Sequence, residues 1–274
     1  METLGLLAGI GHLPVDVAQS AKKLGYKIIA IAVVADTDPE LRSNVDVFYT
    51  INVGKVGKIL QTLKQHGVKD VTMIGKVTKE VLYKNGAVVP DLTTIRVLAS
   101  LPDRKDDTIM NAIVKLIEDA GMHVMDQTAL IQPLLPEPGV LTKRKPTEQE
   151  WQDMQFGFRM AKELGRLDIG QTVVVKNRAV MALEAIEGTD ACILRGGFLG
   201  KGGVIVAKTA KPVQDNRFDM PSVGTTTLTS MVHAGATGIV IEAGRTLLVD
   251  RKRTLALAEE KGITIVSMAE SDLK

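Results

Sequence analysis

The chain has few cysteines, few aromatic residues and no large excess of either charge. Cys192 is its single cysteine, which excludes an internal disulfide. Aromatic residues make up only 3% of the sequence, so it lacks the rings on which a single-stranded nucleic acid stacks. The 34 Lys and Arg residues nearly balance 32 Asp and Glu residues, leaving a net charge of +2. We therefore expect no nucleic-acid partner.

Long apolar runs are also missing. The longest, Ile28–Ala35, is far shorter than the roughly 20 residues of a membrane-spanning helix. No basic segment of the kind that begins a signal peptide precedes the strand-like Leu4–Ala8. The four histidines show no Cys/His spacing of a structural zinc site. We expect a cytoplasmic protein of 274 residues that forms one or, more readily, two domains without disulfide or zinc.

Short apolar runs alternate with amphipathic segments in the first half. This order is typical of a β-α-β-α-β unit with a parallel sheet and predicts a Rossmann-like domain over residues 1–132. The predicted strands are Leu4–Ala8, Ile28–Val34, Val71–Ile74 and Met122–Met125, and the predicted helices are Pro14–Leu24, Val56–His66 and Asp106–Ala120.

Proline separates this half from the next. Four of the chain's ten prolines fall between Gln132 and Pro146, which excludes a helix or a central strand there, so we place a linker at residues 133–146. A second α/β domain is predicted over 147–274, and the two α/β domains are expected to flank a substrate cleft. Its predicted strands are Thr172–Val175, Ala191–Leu194, Gly203–Ala207, Gly238–Glu242 and Thr264–Ser267, and its predicted helices are Thr147–Leu164, Ala179–Glu187, Thr226–Ala234 and Arg251–Lys261.

A glycine-rich turn, residues 8–14, follows the first predicted strand. Gly9 and Gly11 could let backbone amides approach a phosphate, but Pro14 stands where a dinucleotide fingerprint has its third glycine. Nucleotide binding and a plain tight turn are therefore equally open. Gly75 and Lys76 end the third predicted strand, at the edge of a parallel sheet where ligands bind, although a solvated lysine explains Lys76 alone.

Polar, glycine-rich segments are densest between residues 188 and 227, where five such turns are predicted. Their lysines and arginines could neutralise phosphate oxygens, while Asp215 and Asp219, between Pro212 and Pro221, could hold a hard divalent cation. The simpler alternative is a polar loop in which Arg217 pairs with one of these carboxylates. The following helix start, Gly224-Thr225-Thr226, can receive an anion and favours the metal and phosphate site.

Two further features have plain structural interpretations. Glu184 and Glu187 are predicted to lie on a solvated helix face, and Cys192 is predicted to be buried in a strand. An apolar groove for acyl chains could be formed by Pro133–Pro136 or by the Phe156-Gly157-Phe158 helix face, both of which are equally consistent with core packing.

Three motifs, in this order, resemble a known family. They are Leu167-Asp168-Ile169-Gly170-Gln171, Ala185-Ile186-Glu187-Gly188-Thr189-Asp190 and Lys211-Pro212-x-Gln214-Asp215-x-Arg217-x-Asp219-x-Pro221. The pattern resembles the metal-dependent UDP-2,3-diacylglucosamine pyrophosphatases of lipid A biosynthesis, the type unrelated to calcineurin-like phosphoesterases. Leu6–Pro14 and Gly75-Lys76-Val77 also match, so the resemblance covers nearly the whole chain.

The resemblance implies hydrolysis of the substrate's pyrophosphate to UMP and 2,3-diacylglucosamine 1-phosphate, with Mg²⁺ or another divalent ion such as Mn²⁺. It also implies a homodimer, peripheral at the cytoplasmic face of the inner membrane. We hypothesise that Asp219 and Asp215 hold the metal and are the catalytic pair. The predicted substrate-binding residues are Gly11, Leu13, Gly75, Lys76, Thr189, Asp190, Arg195, Lys211 and Arg217.

Two other functions compete with this hypothesis. A sugar-nucleotide sensor could use the same loops to bind UDP without hydrolysis. A nicotinamide-dependent oxidoreductase could be built on the first β-α-β unit, although the missing third glycine disfavours it.

Overall fold

The computed structural model describes residues 2–77, 90–103, 106–126, 128–212 and 220–273. Among these residues the chain divides into two compact units, the first running to Ile131 and the second beginning at Gln132. Each unit contains a β-sheet with helices and its own apolar core. The predicted fold class, two α/β units, is confirmed.

The first unit is built on a five-stranded parallel sheet. Its strands are β1 Thr3–Ala8, β2 Lys27–Ala32, β3 Val47–Thr50, β4 Asp70–Ile74 and β5 His123–Val124. Their order is β3-β2-β1-β4-β5, so the chain changes direction across the sheet between β1 and β4. The central strands are nearly continuous apolar runs because helices cover both faces of such a sheet. The predicted parallel sheet is thus confirmed.

Helices connect these strands. They are α1 Leu13–Lys23, α2 Val56–Gln65, α3 Leu92–Ser100, α4 Asp106–Asp119 and α5 Thr128–Ile131, with a 3₁₀ helix at Pro39–Asn44. β3, the 3₁₀ helix, α3 and α5 were not predicted from the sequence. β3 is a short edge strand without fully buried residues, so it lacks the apolar run by which its neighbours were predicted.

The second unit has a six-stranded mixed sheet, ordered β6-β13-β11-β9-β7-β8. β9, β11 and β13 are parallel, and β7, β8 and β6 run antiparallel to their neighbours. The bounds are β6 Gly139–Val140, β7 Thr172–Lys176, β8 Ala179–Leu183, β9 Val204–Lys208, β11 Ala236–Glu242 and β13 Thr264–Met268, with a separate pair β10 Ser222–Val223 and β12 Leu247–Leu248. Four helices pack with them: α6 Glu148–Arg166, α7 Thr189–Gly200, α8 Thr225–His233 and α9 Arg251–Lys261.

The proline-rich segment contributes to this second sheet. β6 pairs with β13 at the sheet edge, the position in which a proline-rich stretch is tolerated. The Thr142 hydroxyl accepts a hydrogen bond from the Ile265 amide, and Arg144 contacts both Glu150 and Thr264. At the start of α6, Thr147 and Glu150 form the capping box that their spacing predicts.

Two predicted elements of the second unit were wrong. Ala179–Glu187 was predicted to be a helix, but Ala179–Leu183 is strand β8, which pairs with β7 across a turn. Asn177 and Arg178 both have positive φ in this turn, as in a type I′ hairpin. Ala191–Leu194 was predicted to be a strand, but it lies inside α7. The apolar run is too short to distinguish the two periodicities, so tertiary packing decides between helix and strand.

Glycine explains the error at α7. Arg195-Gly196-Gly197 was predicted to be a turn, whereas both glycines lie in the middle of the helix. A Cβ on Gly196 would stand 2.5 Å from Cβ of Val174, and one on Gly197 would stand 2.4 Å from the carbonyl oxygen of Ala234. These glycines therefore let α7 approach the sheet and α8 closely.

Cys192 and Phe158 are both fully buried. Cys192 lies in α7, so the predicted burial is confirmed while the predicted strand is wrong. Burial, with the nearby negative charge of Glu184, raises the pKa of its thiol to about 12. Phe158 packs in the core between α6 and the sheet and is therefore not available to line an acyl groove. Among the described helices, none has the length and hydrophobicity to cross a membrane.

Candidate functional site

Buried charges mark the carboxyl ends of the parallel strands in the second unit. β9 ends at Lys208 and β11 ends at Glu242, whose exposed fractions are 6% and 4%. A buried charge is costly unless it is paired and hydrogen-bonded, and ligands of open α/β sheets bind at this edge. The edge is therefore where the second unit concentrates its polar chemistry.

Lys208 is held by a chain of hydrogen bonds whose direction is fixed. Its Nζ donates to the carbonyl oxygen of Ser222 at 2.9 Å and to Oγ1 of Thr189 at 3.2 Å. Thr189 Oγ1 in turn donates to Oε1 of Glu184 at 2.9 Å, because a carboxylate can only accept. Glu184, 7% exposed, also accepts from the Gln171 amide. The predicted solvated position of Glu184 is therefore wrong.

Thr189 and Asp190, both predicted to bind substrate, form the first turn of α7. The turn begins at Gly188, whose φ of 80° is readily adopted by glycine. Asp190 Oδ1 accepts a hydrogen bond from Ser230 Oγ on α8 at 3.0 Å. The structure thus places Thr189 directly beside Lys208 and engages Asp190 in joining two helices.

Arg195, another predicted phosphate ligand, forms an exposed ion pair. Its guanidinium donates to Oε1 of Glu187 at 2.5 Å and to the carbonyl oxygen of Leu183 at 2.7 Å. Hydrogen bonds from the backbone amide of Glu187 itself and from Arg195 lower the pKa of the Glu187 carboxyl. Arg195 therefore has a structural partner within its own unit.

A second cluster surrounds Glu242 and positions the chain up to Pro212. Glu242 accepts from Lys162 Nζ at 2.9 Å and from the Ala210 amide at 2.8 Å. Lys211, a predicted phosphate ligand, donates to Oδ1 of Asp168 at 2.7 Å, and its carbonyl oxygen accepts from Arg245 at 2.9 Å. Residues 209–211 are thus anchored shortly before the segment with the predicted catalytic pair.

That segment, residues 213–219, lies outside the described residues. Asp215, Arg217 and Asp219 consequently stay predictions. Within the part of the chain that is described, no group of three His, Cys, Asp or Glu residues could hold a metal ion. Carboxylates are the ligands that Mg²⁺ prefers, so the chemistry of Asp215 and Asp219 suits the predicted ion.

The other four predicted substrate-binding residues lie on the loops after β1 and β4 of the first unit, and these two loops are joined. The Ile10 amide donates to the carbonyl oxygen of Lys76 at 2.8 Å, and the Lys76 amide donates back at 3.0 Å. This ties the loop of Gly11 and Leu13 to that of Gly75 and Lys76. It does so where the strand order reverses, the usual ligand position in such sheets.

Gly9 and Gly75 are needed for this close approach. A Cβ on Gly9 would lie 2.6 Å from the carbonyl oxygen of Lys76, and Gly75 has a φ of 95°. Gly9 is therefore explained by the contact between the two loops, without a phosphate.

No functional role was predicted for Glu184, Lys208 or Glu242. One signal was present: Lys208 and Glu242 are each the single ionisable residue at the end of an otherwise apolar strand. A further contact that spacing could not reveal joins His12 to Asp38, 26 residues apart.

The comparisons with known proteins match both units. The family model for the LpxI N-terminal domain matches residues 3–134, and that for the LpxI C-terminal domain matches residues 137–266. A Caulobacter vibrioides protein named UDP-2,3-diacylglucosamine pyrophosphatase LpxI is 32% identical over 280 residues, covering 98% of each chain.

Solved structures show only weak likeness. The biotin carboxylase subunit of pyruvate carboxylase has 14% identity and a TM-score of 0.27, and the match covers 67% of this chain and 36% of that one. The ADP complex of the N5-carboxyaminoimidazole ribonucleotide synthetase purK has 14% identity and a TM-score of 0.29, covering 68% and 39%. The chain spans well under half the length of these structures.

Proposed function

The chain belongs to the LpxI family, and on that premise we propose that it hydrolyses the pyrophosphate bond of UDP-2,3-diacylglucosamine in lipid A biosynthesis. The products are UMP and 2,3-diacylglucosamine 1-phosphate. The enzyme is accordingly a hydrolase acting on a phosphorus anhydride. Both family domains and the full-length relative support this activity.

The structural observation that carries the proposal is the series of hydrogen bonds that links buried Lys208 through Thr189 to buried Glu184. A pyrophosphate is densely negative, so its cleavage requires fixed positive charge where water is largely excluded. Lys208 supplies such a charge at the ligand edge of the sheet, and Glu184 and Thr189 hold it in place. We assign direct contacts with phosphate oxygens to Thr189, Lys211 and Arg217, and further substrate contacts to Asp190 and Arg195.

We also propose that the enzyme depends on a metal ion and is of the type unrelated to the calcineurin-like phosphoesterases. Asp215 and Asp219 would hold Mg²⁺ or Mn²⁺. Such an ion neutralises phosphate oxygens and makes a bound water more acidic. Gly11, Leu13, Gly75 and Lys76 are assigned to substrate binding in the first unit, on the joined loops after β1 and β4.

We further propose a homodimer that uses the exposed face formed by β8 and α7. β8 is the last strand of the sheet, so one edge of its backbone can pair with another chain. Large apolar side chains accompany this edge, namely Val180, Leu183, Leu194, Phe198 and Leu199. Light scattering should show a dimer for the wild type and a monomer for Phe198→Glu, with Leu24→Glu, an exposed leucine on the first unit, as control. A Phe198→Glu protein that stays dimeric would exclude this face.

The substrate carries two acyl chains, so we propose that the enzyme acts peripherally at the cytoplasmic face of the inner membrane. Sedimentation with vesicles that contain substrate tests this. A protein that remains in the supernatant at every vesicle concentration contradicts it.

The activity itself is tested by incubating the purified chain with UDP-2,3-diacylglucosamine and measuring UMP. We expect release with Mg²⁺ or Mn²⁺ and none with a chelator. Calorimetry with UDP distinguishes the competing sensor, which would bind UDP without forming UMP. Changes in NADH fluorescence on mixing would instead support an oxidoreductase.

A further inference from the structure

His12 and Asp38 form a close pair in the first unit. His12 immediately precedes α1, and its Nδ1 lies 2.8 Å from Oδ2 of Asp38. Asp38 is itself fixed, because its Oδ1 accepts a hydrogen bond from the Glu40 amide at 2.9 Å. On the other side of the ring, Nε2 lies 4.0 Å from Oδ1 of Asp16. The imidazole is therefore oriented from both sides.

The pair lies where the first unit joins its two predicted substrate loops. His12 stands between Gly11 and Leu13, on the loop that two backbone hydrogen bonds connect to Lys76. This is the carboxyl edge of the sheet, between β1 and β4, where the strand order reverses. The His12 side chain keeps an exposed fraction of 26%.

A second His–Asp pair in the same sheet provides a contrast. His123 Nδ1 lies 3.2 Å from Oδ1 of Asp70, at the amino ends of β5 and β4. The His123 side chain is 69% exposed. Ligands of parallel sheets bind at the carboxyl ends of strands, so position separates the two pairs although their chemistry is the same.

Two carboxylates face the His12 ring. Asp38 and Asp16 both face the ring, and opposite charge at such distances stabilises an imidazolium. In that form both ring nitrogens are donors, Nδ1 towards Asp38 and Nε2 on the side that Asp16 faces at 4.0 Å. Lys76 is exposed on the adjoining loop, which adds a second cation to the same edge.

We propose that His12 contacts the substrate by donating a hydrogen bond from Nε2 to a phosphate oxygen of the nucleotide, and that Asp38 is its positioning residue. This inference rests on the proposed pyrophosphatase function and adds a residue to its substrate site. Hydrogen bonds between charged partners are about twice as strong as neutral ones, which makes an oriented imidazolium an effective phosphate ligand.

Steady-state kinetics with the full chain provide the first test. His12→Ala should lower kcat/KM by about 10- to 100-fold, because a hydrogen bond to a charged phosphate is lost. Asp38→Asn should lower it by less, since the ring remains while its charged partner is gone. His123→Ala, the matched control, should stay within about twofold of wild type. A His12→Ala enzyme with wild-type kcat/KM, even with a lower melting temperature, overturns the inference.

Nuclear magnetic resonance on the wild-type chain provides a second test that needs no variant. UMP, and inorganic phosphate in a parallel series, are titrated into protein labelled with ¹⁵N-histidine. The Nε2 resonance of His12 should shift with saturation while that of His123 does not. Equal movement of both, or of neither, overturns the inference. If wild type releases no UMP from UDP-2,3-diacylglucosamine, the proposed function fails, and this titration still tests phosphate binding at His12.

Discussion

In each unit the candidate ligand-binding edge is the carboxyl edge of the sheet, and the two edges are held together by different kinds of contact. In the first unit, glycines and reciprocal backbone hydrogen bonds join two exposed loops, and the charged side chains lie around them. In the second unit, buried side chains of opposite charge make the edge, and the backbone provides the frame. The first arrangement depends on close approach of two backbone segments, while the second depends on the buried charges Lys208, Glu184 and Glu242 keeping their hydrogen-bond partners. Substitutions should therefore damage the two edges in different ways.

The largest effect on activity is expected from a substitution in residues 213–219, the segment that follows the edge of the second sheet. Asp219→Ala should reduce metal-dependent UMP release by orders of magnitude while leaving the fold intact, because a ligand of the proposed ion is removed. Asp119→Ala, on the exposed end of α4, is the control and should retain activity. Near-normal turnover by Asp219→Ala would refute the assignment of this residue.

Lys208→Met should destabilise the second unit by about 3 kcal/mol, because the hydrogen-bonded series of Glu184 and Thr189 loses its cation. Trp151, the single tryptophan, lies on α6, so its fluorescence during urea unfolding reports this unit. Lys252→Met, at an exposed position of α9, should leave the midpoint unchanged. A urea midpoint of Lys208→Met equal to that of wild type would show that the hydrogen bonds from Lys208 through Thr189 to Glu184 contribute little to stability.

Gly9→Ala should damage the first edge without affecting the second. The new methyl group would lie 2.6 Å from the carbonyl oxygen of Lys76 and force the two loops apart, at a cost of about 1–3 kcal/mol. We expect faster hydrogen exchange at the Ile10 and Lys76 amides and a higher KM, with an unchanged Trp151 transition. Lys23→Ala, at an exposed position in the last turn of α1, is the control and should leave exchange at both amides unchanged. Unaltered exchange at Ile10 would contradict the proposed contact.

The smallest effect concerns Asp91, which caps α3 and also accepts from the Gly57 and Lys58 amides in the first turn of α2. Burial raises the pKa of this carboxyl, but hydrogen bonds from Thr94, Lys58 and Gly57 outweigh it, so the pKa is lowered overall. Asp91→Ala should cost about 1 kcal/mol at neutral pH. A lowered pKa stabilises the fold above the unfolded value, so the difference should shrink as pH falls through the folded pKa.

Hydrogen exchange at Gly57 and Lys58 across this pH range measures the effect, with Asp36→Ala, an exposed aspartate, as control. If protection of the wild-type Gly57 and Lys58 amides from hydrogen exchange does not change as the Asp91 carboxyl is protonated, the capping role is contradicted.

Hydrophobic periodicity was sufficient to predict helices and strands that are long or have a clear capping residue. The capping box at Thr147 predicted the start of α6, and the buried runs predicted β1, β2 and β4. It failed at β8 and α7, where Ala179–Leu183 and Ala191–Leu194 are short apolar segments compatible with either period. Gly196 and Gly197 were also taken to indicate a turn. They lie inside a helix instead, because the neighbouring strand and helix leave no room for a Cβ at these positions.

By itself the sequence determined two α/β units, the motifs of the LpxI family and the residues proposed for metal and phosphate. These follow from local pattern, since hydrophobic periodicity and motif spacing are properties of the chain order. Only the tertiary structure decided which charges are buried and which pairs meet. Lys208 and Glu184, like His12 and Asp38, are separated along the chain, and the pairing of the strands that contain or precede them brings each pair to one edge of a sheet.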